Sequence, residues 1–131
     1  MATLDRYWQE YEALHADPKR SAEAITSLTT GAARTQTLAE VQETRKAKLR
    51  TAGSSSTVSQ SVMKATRSQG LDAVRVRTCV DVSKVRVLDE KGKDVTSKSR
   101  PTRSLAIYTL SKPTDGGTWA VNLIDSQLET C

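Results

Sequence analysis

Ala73-Val-Arg-Val-Arg-Thr-Cys-Val-Asp-Val-Ser83 decides the fold class of this chain. Its period is two, so Val74, Val76, Thr78, Val80 and Val82 fall on one face, and Ala73, Arg75, Arg77, Cys79 and Asp81 on the other. A strand with one β-branched face and one polar face belongs to an antiparallel sheet whose polar side is solvated or lines a wet cavity. The valine face needs a hydrophobic partner layer.

Outward from this strand, the same period recurs. Val58 and Val62 predict a weaker strand upstream, running to about Arg67, with Gly70 as the turn. Val85 and Val87 are expected to continue the strong strand past a bulge or turn, and Asp89 to Gly92 to form a loop leading into a mobile stretch that ends at Arg100. Arg103 to Leu110 alternates Leu105, Ile107 and Thr109 against Ala106, Tyr108 and Leu110; two apolar faces suit a central strand. Pro113 to Gly117 is a hairpin turn, because glycine accepts positive φ, and Trp119, Val121 and Leu123 make the last strand, ending near Asp125.

Upstream of Ser54-Ser-Ser-Thr57 the period becomes helical. Leu4, Tyr7, Trp8, Tyr11 and Leu14 place three aromatic rings on one helical face. Asp17-Pro18 reads as a cap and first turn for a second helix carrying Ala22, Ile25 and Leu28, closed by Gly31. A third helix is expected from Ala32 to Ala52 with Leu38, Val41 and Leu49 on one side and Gly53 as terminator. The 131 residues thus describe one α+β domain, residues 1–131, with a helical part over about 3–52 and a sheet part over about 56–126.

A formal charge of +5 speaks to solubility and to anionic neighbours, not to fold. The basic run Arg45 to Arg50 contains no aromatic residue for base stacking, so nucleic acid is not the expected partner. No apolar run approaches a membrane span, and Met1-Ala-Thr-Leu-Asp5 lacks the regions of a signal peptide, which taken literally means cytosol. Two cysteines pull the other way. If Cys79 and Cys131 are bridged, the carboxy terminus is stapled to the strong strand and the compartment is oxidising; free thiols would fit the cytosol. A metal or redox pair is disfavoured, since no Cys-x-x-Cys occurs and His15, the one histidine, is remote in sequence. The sequence calls for no cofactor and no metal.

Tyr7-Trp8-x-x-Tyr11, the strand Ala73-Val74-x-x-x-x-Cys79-x-Asp81, Gly92, Gly117-x-Trp119-x-Val121 and the terminal Cys131 resemble the nuclear transport factor 2-like superfamily. The likeness is greatest to secreted or lipid-anchored members from high-GC Gram-positive bacteria and their phages or plasmids. That resemblance implies three helices on a cone-like, curved antiparallel sheet of four to five strands. It also implies a bridge from Cys79 to Cys131, an initiating Met-Ala that stands after a removed signal peptide or anchor, and frequent pairing into homodimers through the sheet. Membrane association would then run only through the removed anchor.

The superfamily holds enzymes and non-enzymes on one scaffold. Its isomerase-like and cyclase-like members would direct attention to Tyr7, Tyr11 and Asp81, but Asp81 lies opposite the valines and so away from the cone. His15 titrates near neutrality as a residue type, yet has no paired carboxylate or nucleophile in sequence and is expected to cap the first helix. The expectation is therefore a non-catalytic, extracytoplasmic binding or accessory domain of an envelope-associated system, with no catalytic residues and a protein or small apolar ligand as partner. Tyr7, Trp8 and Tyr11 are its candidate pocket wall, and Arg75 with Arg77 its candidate anion or partner face.

Overall fold

The computed structural model describes residues 2–131; Met1, and with it the reading of the amino terminus as a start that follows a removed leader, lies outside the described residues. Three helices come first: α1 over Ala2–Ala16, α2 over Glu23–Leu28 and α3 over Gly31–Lys46. Six strands follow, β1 over Arg50–Ala52, β2 over Ser56–Ser68, β3 over Leu71–Asp81, β4 over Arg86–Leu88, β5 over Arg103–Pro113 and β6 over Ala120–Gln127. The main sheet is curved and antiparallel in the order β2-β3-β5-β6, and β1 pairs with β4 in a separate two-stranded sheet. The α+β class and the count of helices agree with the sequence.

The period-two reading of β3 holds residue by residue. Val74, Val76, Thr78 and Val80 are buried beneath the helices and stand opposite Leu110, Tyr108, Ala106 and Ser104 of β5. Leu4, Tyr7 and Leu14 of α1, Ile25 of α2, and Ala33 and Val41 of α3 close over them with Val121 of β6. Burial of this apolar layer is the main stabilising term. β5 is central, as its two apolar faces predicted.

Six local expectations are corrected. α3 stops at Lys46 because Lys48 takes the left-handed conformation: Lys48 N–H donates to Arg45 O and Leu49 N–H to Thr44 O, both at 3.0 Å. This pair of bonds is a Schellman cap built on a lysine, where glycine is the usual signal. Residues 50–52, expected to be helical, are then free to form β1. Gly53 terminates no helix; it sits at the end of β1 where a Cβ would collide with the carbonyl oxygen of Lys84.

Asp17-Pro18 does not start α2. Asp17 Oδ1 accepts from Lys19 N–H, and Ser21 Oγ accepts from Glu23 N–H instead. Gly31 opens α3, with φ of 55°, instead of closing α2. Val85 and Val87 do not prolong β3, because the chain turns after Asp81 and crosses to β1 as β4. The stretch before Arg100, expected to be free, is tied to β4: Val95 N–H donates to Val87 O, and Val87 N–H donates to Thr96 Oγ1, both at 2.8 Å.

β2 and β3 are joined by Gln69-Gly70, both with positive φ, the backbone of a type I′ hairpin. Beside this turn, the Asp72 carboxylate accepts from Arg67, Lys112 and Thr114, which ties β2, β3 and β5 together and holds its pKa well below the usual carboxylate range, the Arg67 hydrogen bond contributing most. At the far end, Cys79 and Cys131 form a disulfide across a sequence separation of 52 residues. Loop-closure entropy for that span is about 4 kcal/mol. Replacing both cysteines by serine is expected to lower the unfolding free energy in urea by about 3 to 4 kcal/mol, and an unchanged midpoint would remove the staple from the account of stability.

Thr78 is the polar exception in the valine row: its Oγ1 is buried and meets no hydrogen-bond partner among the described residues. Leaving a hydroxyl unsatisfied costs on the order of 1 kcal/mol or more. Thr78→Val keeps the shape and removes that cost, so urea denaturation is expected to show stabilisation by about 1 kcal/mol.

Candidate functional site

The rings on α1 meet the sheet through Tyr108. Tyr7, Trp8, Tyr11 and Tyr108 form one cluster, with Trp8 edge-on to Tyr11 at 5.3 Å between centroids and tilted contacts of Tyr7 to Tyr11 at 5.9 Å and to Tyr108 at 6.2 Å. Aromatic pairs at such separations add stability beyond their area. Helical spacing places the three α1 residues together, and the alternation Ala106-Tyr108-Leu110 places the fourth. Tyr108 was legible as a strand residue but not as a member of this cluster.

Tyr7 is fully interior and shares a 3.0 Å hydrogen bond with Thr37 of α3, also buried. It is core, not pocket wall, which corrects one third of the expected cradle. Trp8 and Tyr11 do line a cleft of about 800 Å³. Glu12 and His15 of α1 complete that wall; Val82, Val85 and Val87, the turn from Arg100 to Leu105, and the tail from Gln127 to Cys131 make the rest. Among the described residues the indole N–H of Trp8 is buried and makes no hydrogen bond of ordinary geometry, although it stands close enough to the Tyr108 hydroxyl to act on it.

Tyr11, Glu12, Arg100 and Arg103, which border the cleft, are each engaged by protein partners. Tyr11 donates to Glu40 at 3.1 Å, and Glu12 accepts from both the amide and the hydroxyl of Ser55. Arg100 donates to Val82 O and Arg103 to Cys131 O, both at 3.0 Å. His15 Nδ1 lies 2.8 Å from Tyr11 O, so Nδ1 carries the proton and Nε2 is the acceptor nitrogen. His15 does stand at the end of α1, as expected, and also borders the cleft. The apolar lining is supplied by Trp8, Tyr11, the three valines and Leu105.

The disulfide enters the cleft from the outer row of the sheet. Cys79 lies in that row, level with Ser59, Leu105 and Gln127, as its face predicted. The row was expected to be solvated or to line a wet cavity; Cys79 and Leu105 are buried in it, with the tail bridged to Cys79 and Cys131 part of the cleft wall. Nothing in the alternation signals this, since the covering segment carries only Leu128 as a large apolar residue.

The remaining candidates disperse. Arg75 and Arg77 share the outer row, flanked by Lys64 and Ser61 of β2 and by Thr109 and Ile107 of β5. Asp81 does not neutralise them; its carboxylate accepts from Ser83, which with Arg103 and Lys84 nearby lowers its pKa. It does not line the cleft. In the basic run, Arg45 donates to the carbonyls of Asp17 and Arg20, and Lys48 pairs with Glu90 at 3.7 Å, so these cations fasten loops. Among the described residues no cluster of His, Cys, Asp and Glu has the makings of a metal site.

Comparison with known proteins bears on the fold. No family model matches the chain, and no curated protein matches it. Among solved structures, the crystal structure of the intermembrane space region of chloroplast protein ARC6 superposes with a TM-score of 0.65 at 12% identity, covering 95% of this chain and 91% of that one. The two chains share an α+β architecture across nearly their whole length. No described helix is long and apolar enough to cross a membrane.

Burial pushes the Tyr7 hydroxyl up to about 12, with Glu40 adding to the shift and the Thr37 hydrogen bond opposing it. Tyr11 and Tyr108 are raised further, first by burial and then by the charge of Glu40 on Tyr11 and by the neighbouring tyrosines on Tyr108. The unfolded chain therefore releases these protons first, and stability falls as pH rises above about 10. Spectrophotometric titration is expected to show almost no tyrosinate at pH about 10, where a free tyrosine is half ionised; a normal titration curve in the folded protein would contradict the buried cluster.

Proposed function

We propose that this chain is a non-catalytic, extracytoplasmic binding or accessory domain, nuclear transport factor 2-like in kind, that serves an envelope-associated system of a bacterium, phage or plasmid. The cleft is its seat. The observation that carries this reading is the apolar cleft of about 800 Å³ whose bordering Tyr11, Glu12, Arg100 and Arg103 are held by protein partners. A volume of this size holds a small apolar ligand or a few apolar side chains of a partner protein. The disulfide supports an oxidising compartment, and the ARC6 region is an intermembrane-space region, a setting compatible with an address outside the cytoplasm. The sequence resemblance adds secretion or a lipid anchor.

One observation favours a second reading, a small isomerase- or cyclase-like enzyme. His15 borders the cleft, its imidazole oriented through Nδ1 by the Tyr11 carbonyl as a catalytic imidazole would be. In that cleft Glu12 already accepts from Ser55, Asp81 is not part of the lining, and Tyr7 and Tyr11 are poor proton donors at neutral pH.

Titration with 8-anilinonaphthalene-1-sulfonate, an apolar fluorescent probe, is expected to give saturable binding to the native protein. Val85→Arg fills the cleft from its half-exposed wall and is expected to weaken binding by about tenfold or more, equivalent to about 1.4 kcal/mol, with the melting temperature nearly unchanged. Equal binding by both proteins would dismiss the cleft as the seat. His15→Gln that binds the probe normally but abolishes turnover of an enolisable ketone would move the case to the enzyme.

A further inference from the structure

The positive charge of this chain is concentrated along one wall of the cleft. Residues 84–103 hold seven Lys and Arg against three Asp and Glu, a net +4 out of the formal +5 of the whole chain. All seven cations are exposed except Arg100, which is half-buried. The three acids are each occupied: Glu90 meets Lys48 at 3.7 Å, Asp89 accepts from the amides of Lys91 and Lys93, and Asp94 accepts from the amide of Thr96. The same segment supplies Val85, Val87, Arg100 and Arg103 to the lining of the cleft. One stretch of chain thus contributes both an apolar surface and two cations to a single concavity.

Arg100 and Arg103 are held in place but not neutralised. The turn that carries them is pinned just past the end of β3: Val82 N–H donates to Thr102 O at 2.8 Å, Arg100 donates to Val82 O at 3.0 Å, and Arg103 stands opposite Asp81 in the β3-β5 register. The hydrogen bonds of both guanidinium groups end on neutral backbone carbonyls, that of Arg103 on Cys131 O. A carbonyl fixes a guanidinium and leaves its charge and most of its five N–H donors for another anion. Asp94 and Asp81 feel the charges of Arg100 and Arg103, yet among the described residues neither arginine stands in a salt bridge, whereas Arg20 and Arg67 are locked to Glu10 and Asp72. Of the two carboxylates in the lining, Glu12 is taken by Ser55 and Glu129 is exposed on the tail.

We infer that the cleft takes an anionic amphiphile, a small molecule whose apolar chain lies against Trp8, Tyr11 and Leu105 and whose carboxylate or phosphate head is gripped by Arg100 and Arg103. This rests on the cleft being the binding seat and adds the charge of what sits there. The planar guanidinium fork suits either head, since both offer paired oxygens for bidentate hydrogen bonds. An apolar wall beside the cations lowers the local dielectric and strengthens the attraction. A neutral apolar molecule would cover the two cations without pairing them, which costs free energy, and a cationic one would be repelled. The cleft of about 800 Å³ has room for one chain and its head.

Equilibrium dialysis of the oxidised protein against decanoate, decyl phosphate and decanol, each below micelle formation, compares one apolar chain with three heads. Both anions are expected to bind about tenfold or more tighter than decanol, and the tighter of the two names the head as carboxylate or phosphate. The double variant R100Q/R103Q is expected to bring the anions to within about threefold of decanol while decanol itself binds as before. R100K/R103K keeps the charge and is expected to keep an anion preference. Arg103 is exposed, so R103Q alone tests the head site without risk to the fold and is expected to reduce the preference by about threefold. Decanol binding as tightly as the anions overturns the inference and leaves the cleft as the seat; binding of none of the three overturns both. An anion preference that survives R103Q and R100Q/R103Q undiminished places the head elsewhere and overturns the inference as well.

Discussion

Eleven consecutive antiparallel pairs between β3 and β5, from Leu71 against Pro113 to Asp81 against Arg103, run without a bulge, and every other feature takes its position from them. The ladder fixes which side chains face the helices. A slip by one residue would send Val74, Val76 and Val80 outward and Arg75 and Arg77 into the apolar layer, at a cost no surface contact could offset. With that register set, Tyr108 must meet Tyr7 and Trp8, and Leu105 must share a row with Cys79. The cleft is a consequence: it opens where β5 begins, beyond the reach of the ladder, between α1, the β1-β4 pair and the tail.

The parts of the fold written in local periodicity were legible. β3, β5 and the aromatic face of α1 follow from alternation or helical spacing, because burial on one side imposes that spacing directly; in β6 a bulge between Val121 and Leu123 breaks the expected alternation, so Val121 is buried and Leu123 exposed, and Trp119 precedes the strand. The boundaries that failed were set by backbone details with no compositional mark. Lys48 takes a conformation associated with glycine, so nothing in Arg45-Lys-Ala-Lys-Leu-Arg50 announces that the helix stops and β1 begins. Gly53 and Gly31 were read as helix terminators; one marks a close approach to Lys84 and the other a helix start.

The candidate site was half legible for the same reason. Trp8 and Tyr11 were visible as an apolar stripe, and His15 as an oriented helix-end residue. The facing wall was not. Arg100, Arg103 and the Gln127 to Cys131 tail reach α1 through tertiary structure alone, and no spacing rule links residues so distant in sequence. Tyr7 shows the converse: it belongs to the same stripe as Trp8 and Tyr11, but a one-position turn of the helix carries it under α3 to Thr37.

The type I′ turn at Gln69-Gly70 has a consequence for how motion is distributed in this molecule. β2 contributes little to the helix-covered core, so opening it breaks a ladder and an ion pair but exposes almost no buried apolar surface. It therefore occupies the low end of the local stability range, while β3 and β5 cannot open without global unfolding. A two-residue loop with both residues held left-handed keeps the detached strand close and in phase. Each excursion of β2 thus ends in the same register, and the sheet acquires a border that breathes without losing its place.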